Sequence, residues 1–571
     1  MQGDNKLVEQ LFSAMADLLE INGDNPFKIR AYRNATRVLH AFPTEASELL
    51  SRGEDLSHYP GIGKDLAKKI KEIIRTGHLQ ALDSLMKDVS PELIQLMKIA
   101  GLGGKRVAQL HKKLGIVSLD DLENAAKSHS IRSIRGFGER TEEAILKGIH
   151  LLKGYRRTAY SEIELDVNKL THFLEHHNEI TRLTVAGSFR RRLETVRDID
   201  FLVTGNDASA IVNAFLSYND IAEVTIHGEK KVSVILHNGI QVDLRLIDPE
   251  SYGAALHYFT GSKAHNIAVR TLAVHQGLKI NEYGIFRGET KIGGEYESDV
   301  YNILNLHYIE PELRENSGEI EAAENGTLPK LIATEDLRGD LHTHTTFTDG
   351  HATAEEMVIA ARKKGYEYIA ITDHSKRIAM AHGLNEYDLE RQIDYLDRVA
   401  SEIPGIKILK GIEVDILEDG SLDLADSVLS KLDIRVCSTH SYSNLTRQKQ
   451  TDRIIRAMDN RYFNILAHPT GRLINKRAPF DLDMEKVMLA ARQRGCILEV
   501  NCSPERMDLN GEHCRMAKNI GVMVCINTDA HSVRDLNDVR YGIGQARRGW
   551  IEPDNVLNTK SYGDLIKVLR R

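Results

Sequence analysis

The sequence predicts a multidomain fold: a helical region, then a mixed α+β region, then an α/β parallel barrel. Three observations predict it. The chain has 571 residues, too many for one hydrophobic core. Residues 1 to about 155 place apolar side chains at three and four spacing, as in LVEQLFSAMADLLEI and LAKKIKEII, and repeat a Gly-x-Gly element. After Arg338 the pattern becomes strand then helix, with seven short strands that end in polar residues.

Composition bounds the setting. Apolar residues make up 42% and charged ones 27%, the balance of an ordinary folded protein. No segment reaches the ~20 apolar residues of a membrane span. The polar start MQGDNKLVEQ lacks the apolar core of an export signal. All five Cys lie from residue 437 to 525 without a CxxC pair, so a reducing cytoplasm is expected. The net charge of -7 does not advertise a polyanion partner, but local charge differs from the sum. Gly101 to Tyr160 holds twelve Lys/Arg against six Asp/Glu. Glu310 to Asp336 reverses this, with eight acids against two bases.

The helical region carries PGIGKDLAKKI, AGLGGKRVAQL and RGFGERTEEAI. In each, two glycines let the backbone turn tightly, and the N–H groups of the following helix start can face a phosphate. A single copy reads equally well as a Gly-rich loop; three copies with matching flanks favour backbone binding. The pattern resembles the helix–hairpin–helix motif, which implies DNA contacts at Gly61, Gly63, Lys64, Gly101, Gly103, Lys105, Gly136 and Gly138.

The mixed region holds the first chemistry. KVSVILHNGIQVDLRLI reads as two alternating strands around Asn238-Gly239, a hairpin. In VAGSFRRRLETVRDIDFLV, Asp198 and Asp200 are two apart at a strand start, so both carboxylates face one side. Asp243 on the hairpin can meet them across the sheet. Three such carboxylates can hold two divalent cations about 3.5–4 Å apart, and Mg²⁺ or Mn²⁺ is expected there. Gly187-Ser188 lie at a strand-to-helix turn suited to phosphate, and Arg191 can pair with the same phosphates. A bare DxD is usually a solvated pair. Gly-Ser followed by DxD and then a strand-borne Asp resembles the nucleotidyltransferase superfamily.

YFTGSKAHNIAVR followed by LKINEYGIF resembles the thumb of family X DNA polymerases, and the resemblance covers residues 1 to about 315. It implies that Tyr258, Phe259 and Gly261 lie against the sugar of the incoming nucleotide. Asn266 and Arg270 would contact base or template edges in the minor groove. Two positions depart from the family. Gln241 stands where animal members have an Arg that tunes the third carboxylate, and Lys263 replaces an acid beside the nucleotide pocket. The resemblance also aligns Lys28, Tyr32 and Lys69 with a 5′-phosphate pocket, with Lys69 at the Schiff-base position of a lyase. A nucleophilic Lys must be neutral, which needs desolvation or a cationic neighbour such as Lys64 or Lys68. The other reading is a solvated basic helix face that binds phosphate.

In the barrel the strands are RGDLHTHT, YIAITDH, KILKGIEVD, IRVCSTH, FNILAHP, CILEVNCS and VMVCINTDAH. His342, His344, His374, His440, His468 and His531 fall at or just past strand ends, joined by Asp349, Glu413 and Asp529. A parallel barrel converges strand ends on one mouth. Nine N/O ligands suit up to three ions, and without thiolate these would be Mn²⁺, Zn²⁺ or Fe²⁺. His351, His382 and His513 fit no strand end and read as surface residues. Arg472, Lys476 and Arg477 read either as substrate-phosphate contacts or as a solvated loop.

The pattern over residues 337–571 resembles the PHP (polymerase and histidinol phosphatase) domain, giving a distorted (βα)7 barrel. That implies one ion on His342, His344, Glu413 and Asp529. A second would sit on Asp349, His374 and His531, and a third on Glu413, His440 and His468. Such a cluster supplies an activated water and a clamp for the leaving oxygen of a phosphate ester.

The expected domains are a lyase-like helical unit at 1–80 and a fingers-like helical unit at 81–155. A nucleotidyltransferase palm at 156–246, a thumb at 247–316, an acidic linker at 317–336 and the PHP domain at 337–571 follow. The fusion resembles bacterial family X polymerases. It implies gap-filling DNA synthesis in base excision repair with 3′→5′ exonuclease and abasic-site endonuclease activity. The expected partners are gapped or nicked DNA and dNTPs, bound by a nucleoid-associated monomer. The alternatives are a small-molecule phosphatase tethered to a DNA-binding module and a non-catalytic scaffold. A cut in the acidic linker near Glu324 is expected to leave a C-terminal piece that keeps its metals but loses much of its DNA activity, having lost the grip that positions substrate.

Overall fold

A computed structural model of the chain describes residues 4–40, 42, 44–88, 92–99, 101–154 and 157–570. The boundary expected at 155/156 lies outside the described residues. Among the described residues no helix is long and apolar enough to cross a membrane, and no disulfide joins any of the cysteines.

The helical region is built on the helix Asp4–Asn22, which packs against helices on both sides of residue 80. Its buried residues, from Val8 and Phe12 through Ile70 and Val107 to Ile149, form one cluster. The units expected at 1–80 and 81–155 therefore share a core. Glu20 lies so close to Gly104 that a Cβ there would meet its Cγ at 2.6 Å.

Each Gly-x-Gly repeat adopts the same backbone. The first glycine has a left-handed φ: +91° at Gly61, +87° at Gly101 and +94° at Gly136. Gly63 and Gly103 are extended N-caps of the helices Lys64–Thr76 and Gly104–Leu114, and Gly138 precedes the helix Glu139–Gly154.

The palm is a five-stranded sheet in the order Ile180–Val185, Asp198–Gly205, Gln241–Leu246, Lys231–Leu236, Ile221–His227. The hairpin around Asn238-Gly239 is present, with Gly239 at φ +84°. Asp198–Gly205 runs parallel to Gln241–Leu246, placing Asp200 opposite Asp243 and Asp198 opposite Gln241.

The thumb follows as the helices Tyr252–Thr260 and Lys263–His275 with a three-stranded antiparallel sheet. A buried polar network ties it to the palm. Glu297 accepts from Arg190 at 2.6 and 2.7 Å, from Arg314 at 2.6 Å and from Tyr308 at 2.7 Å.

The acidic segment 317–336 is packed rather than a solvated tether. It contains the helix Glu319–Glu324, whose Ile320 and Ala323 join the thumb core. Glu319 is fully buried because its carboxylate accepts from His265 at 2.7 Å and from the Asn316 and Ser317 N–H groups. Ile332 belongs to the barrel core.

The barrel has seven parallel strands in sequence order, from Gly339–Asp340 to Val524–Asn527. A parallel bridge between Thr343 and Ala530 joins the continuations of the first and last strands and nearly closes the ring. The helix Val539–Arg548 then lies against the palm. Tyr541, Met507 and Ile474 enter the palm core, and Trp550 enters the thumb core. Tyr541 and Arg540 bond Glu164, and Gln545 donates to the Arg192 carbonyl at 3.0 Å. The barrel is therefore packed against palm and thumb as well as joined to them through the segment that holds Glu324.

Candidate functional site

The palm sheet presents Asp198, Asp200 and Asp243 on one side of adjacent strands. Arg245, two residues past Asp243 on the same strand, reaches back between them. Its Nε lies 3.3 Å from Asp200 and its Nη2 3.1 Å from Asp243. Lys231 lies 2.7 Å from Asp243, and Gln241 donates to it at 2.9 Å. Burial opposes ionisation of Asp243, but Lys231 and Gln241 outweigh it and hold its carboxyl below the usual range. The Arg missing at position 241 is thus replaced by a neutral donor plus Lys231. Burial pushes Asp200 upward, with Asp243 and Asp198 adding to the rise and Arg245 opposing it. An all-carboxylate donor set on a mixed polar floor fits a hard divalent cation.

Gly187 has φ +67°, and a Cβ there would stand 3.1 Å from the Asp200 carboxylate, so the turn that carries Ser188 needs glycine. Phe259 stacks on Arg245 at 4.2 Å. Gly261 caps the helix Tyr252–Thr260 at φ +70°. Asn266 is nearly buried and donates to the Tyr258 carbonyl at 2.7 Å, while Arg270 donates to the Asn266 carbonyl at 3.3 Å. Asn266 thus holds the turn, a contact the sequence does not reveal. Arg191 donates to the Thr260 carbonyl and lies 3.1 Å from Glu315. Lys263 is exposed at the start of its helix.

The barrel mouth gathers all nine expected ligands. Glu413 stands at the centre. One of its oxygens is 2.8 Å from His374 and 3.6 Å from both His342 and His344. The other is 3.0 Å from His468 and 3.3 Å from His440. Asp529 lies 3.1 Å from His344 and 3.5 Å from His342, and Asp349 lies 3.4 Å from His374 and 3.6 Å from His531. Three overlapping groups have donor atoms within 4.8 Å of one another. They are His344/Asp349/His374/His531, His342/His344/Asp529 and His374/Glu413/His440.

The imidazole and carboxylate donors fit cations of borderline hardness. His342 Nδ1 meets Glu499 at 2.7 Å, while its buried Nε2 has no hydrogen-bond partner and is aimed at Glu413 and Asp529. Burial would raise Glu413, but His374, His440 and His342 hold it far below the usual range. Burial works against protonation of His374, yet Glu413 and Asp349 push it up to about 10. His344 is driven down to about 3 by burial, His531 and His374. Such opposed shifts mark a cluster that keeps carboxylates ionised and some imidazoles neutral.

Several supports escape a search for His. Glu499 accepts from Asn501, Asn527 and the His468 N–H. Asp373 is fully buried and accepts from Thr345, Thr348 and Gln392, fixing the loop between His344 and Asp349. Asp415 accepts the His440 N–H at 2.9 Å. Glu499 and Asn501 sit at the end of the one strand that lends no predicted ligand, and their two-residue spacing was the available signal. Asp529 and His468 hold left-handed φ of +55° and +27°.

Arg472 is largely buried and pairs with Glu194 of the palm at 2.6 Å. Lys476 is exposed and pairs with Glu505, and Arg477 donates to the Gly471 carbonyl.

In the helical region an open cleft of about 630 Å³ is lined by Lys28, Tyr32, His58, Gly61 and Gly63 among others. Lys28 pairs with Asp24 at 3.3 Å. Lys69 meets Asp65 at 2.5 Å over the Tyr32 ring. Burial lowers its pKa, but Asp65 and Tyr32 outweigh this and raise it, opposite to what an amine nucleophile needs. Lys64 and Lys105 lie in the first turns of their helices and are exposed. The third repeat differs, because Glu139 and Glu142 occupy its first turn and Glu142 pairs with Arg132 and His129. Arg106 joins the second and third repeats by donating to the Gly101 and Gly136 carbonyls.

Known proteins divide along the same lines. Residues 3–79 match the helix-hairpin-helix domain, 93–150 the SAM-like helix-hairpin-helix tandem, 255–315 the DNA polymerase beta thumb and 340–495 the PHP domain. The PHP match ends before Asp529 and His531, which the barrel nevertheless returns to the mouth. A probable phosphatase of Thermoanaerobacter sp. (strain X514) is 34% identical over 38% of this chain and 89% of its own. One from Acetivibrio thermocellus is 32% identical over 34% of this chain and 78% of its own. The DNA polymerase/3'-5' exonuclease PolX of Bacillus subtilis (strain 168) is 38% identical over 99% of both chains. Likeness of that extent, with helix-hairpin-helix, thumb and PHP parts along one polypeptide, places the chain in the family X DNA polymerases that carry a C-terminal PHP domain.

Proposed function

We propose that the chain fills short gaps in DNA during base excision repair and trims or incises DNA at its barrel. The barrel acts as a 3′→5′ exonuclease and abasic-site endonuclease. One observation carries this reading: a single chain gathers a carboxylate triad in the palm and nine N/O ligands at a barrel mouth, behind repeats built to hold a phosphate backbone. Asp198, Asp200 and Asp243 hold Mg²⁺ or Mn²⁺, which would lower the pKa of a 3′-hydroxyl and neutralise the triphosphate. Gly187, Ser188 and Arg191 cradle that triphosphate. Tyr258, Phe259 and Gly261 shape the sugar side, with Asn266 and Arg270 fixing the turn and facing the template. At the barrel, His342, His344, Glu413 and Asp529 take one ion. Asp349, His374 and His531 take a second, and Glu413, His440 and His468 a third, from Mn²⁺, Zn²⁺ or Fe²⁺.

Gly61, Gly63, Lys64, Gly101, Gly103 and Lys105 bind gapped or nicked DNA, with Gly136 and Gly138 in a lesser role, and Lys28 takes the 5′-phosphate. Lys69 reads as a phosphate contact rather than a lyase nucleophile. The protein works as a cytoplasmic, nucleoid-associated monomer. The experiment is extension of a gapped primer with dNTPs beside release of mononucleotides from a 3′ end. A second reading, a phosphatase of small esters, is favoured by the relatives named probable phosphatases over the barrel alone. Fast hydrolysis of histidinol phosphate with no attack on DNA would establish it instead.

A further inference from the structure

We propose that Arg548 of the barrel domain is a positioning residue for DNA synthesis: by sharing Glu315 and holding the Arg191 carbonyl, it orients Arg191 and keeps a net positive charge beside the triphosphate of the incoming nucleotide. The inference rests on the reading of Arg191 as a phosphate ligand.

Arg548 is the last residue of the helix Val539–Arg548. Its Nη1 donates to the Arg191 carbonyl at 2.9 Å and to Glu315 Oε1 at 2.9 Å. The same Glu315 oxygen accepts from Arg191 Nε at 3.1 Å. Arg191 Nη1 donates to the Thr260 carbonyl, and a Cβ on Gly261 would stand 3.2 Å from that nitrogen. The guanidinium is therefore pinned on one edge against the nucleotide turn. Its Nη2 makes no hydrogen bond among the described residues and can reach a phosphate.

The charges decide what Arg548 adds. Arg191, Glu315 and Arg548 side chains are 12%, 30% and 17% exposed, so solvent screens them weakly. Two guanidiniums share one carboxylate, which leaves a net positive charge in this hydrogen-bonded group. Without Arg548, Glu315 would neutralise Arg191 and the field at the triphosphate would fall. The helix holds Arg548 in place because Tyr541, Gly544 and Gln545, on the same face at helical spacing, are seated on the palm. The barrel thus supplies a residue to a site in which it has no ligand.

Single-nucleotide insertion into gapped DNA, measured on the full chain, tests this with Arg548→Met, Arg548→Lys, Arg191→Ala and the Arg191→Ala/Arg548→Met double variant. The expected result is a dNTP KM about tenfold higher in Arg548→Met with kcat within about twofold of the parent, the loss of one charge-assisted contact. Arg548→Lys restores most of the KM, and the effect vanishes in the Arg191→Ala background, as for residues acting through one another. Unfolding temperatures check that the variants fold, and Arg548→Gln, which also removes the charge, carries the comparison if Arg548→Met does not fold. An unchanged KM in Arg548→Met, or the same rise with and without Arg191, overturns the proposal while the Arg191 reading stands. An unchanged KM in Arg191→Ala removes that reading and this inference with it.

Discussion

His342 shows how one residue can set a metal site. Its Nδ1 meets Glu499, which leaves Nε2 turned toward Glu413 and Asp529. Glu499→Gln keeps the shape but weakens the acceptor. Mn²⁺ affinity, read by titration calorimetry, should fall about 10–100-fold, and unchanged affinity would remove Glu499 from the site's support. Lys69 is predicted from the opposite consideration. Asp65 keeps its ammonium charged, so borohydride trapping to an abasic 5′ end should be weak near neutrality and rise toward alkaline pH as the neutral amine appears. Strong trapping at pH 7 would show that Lys69 is desolvated in the complex. The ligands were legible in the sequence because strand ends in a parallel barrel meet at one mouth. Glu499 has the same placement but no His to mark it. The partnership of Arg191 with Arg548 was not legible, since the residues are 357 apart in the chain and neither belongs to a motif that mentions the other.

At the scale of elements, the repeats depend on glycine where the backbone is left-handed. Gly61 combines φ +91° with a Val38 methyl 2.9 Å from where a Cβ would go. Gly61→Ala should cost the helical region about 1–2 kcal/mol in chemical unfolding, from strain plus contact, and a neutral result would contradict this local account. The Gly-x-Gly turns were readable because only glycine makes them cheap. The helix Glu319–Glu324 was not. Its acids resemble a solvated tether in composition, yet Glu319 is buried because a distant His265 and two loop N–H groups satisfy it. The shared core of residues 4–154 was hidden for a related reason: pattern shows that Asp4–Asn22 is amphipathic, not that it touches helices on both sides of residue 80.

At the scale of the molecule, two chemistries stand on one packed assembly. The palm site offers only carboxylates and the barrel mixes imidazole with carboxylate, so their metal preferences should diverge. Hydrolysis of DNA should be fast with Mn²⁺ and slow with Mg²⁺, which holds its water and prefers all-oxygen shells, while synthesis runs with either. Equal hydrolysis rates in the two metals would contradict the ligand argument. The barrel packs on the palm through Tyr541 and Met507 and on the thumb through Trp550, so the sites are distinct in chemistry rather than loosely tethered. The most direct test of that claim uses full-length protein, with Asp198→Ala/Asp200→Ala and His344→Ala each assayed for gapped-primer extension and for 3′-end mononucleotide release. Loss of extension with retained release in the first, and the reverse in the second, is the predicted result; loss of both activities in either variant, with folding verified, would contradict two independent sites.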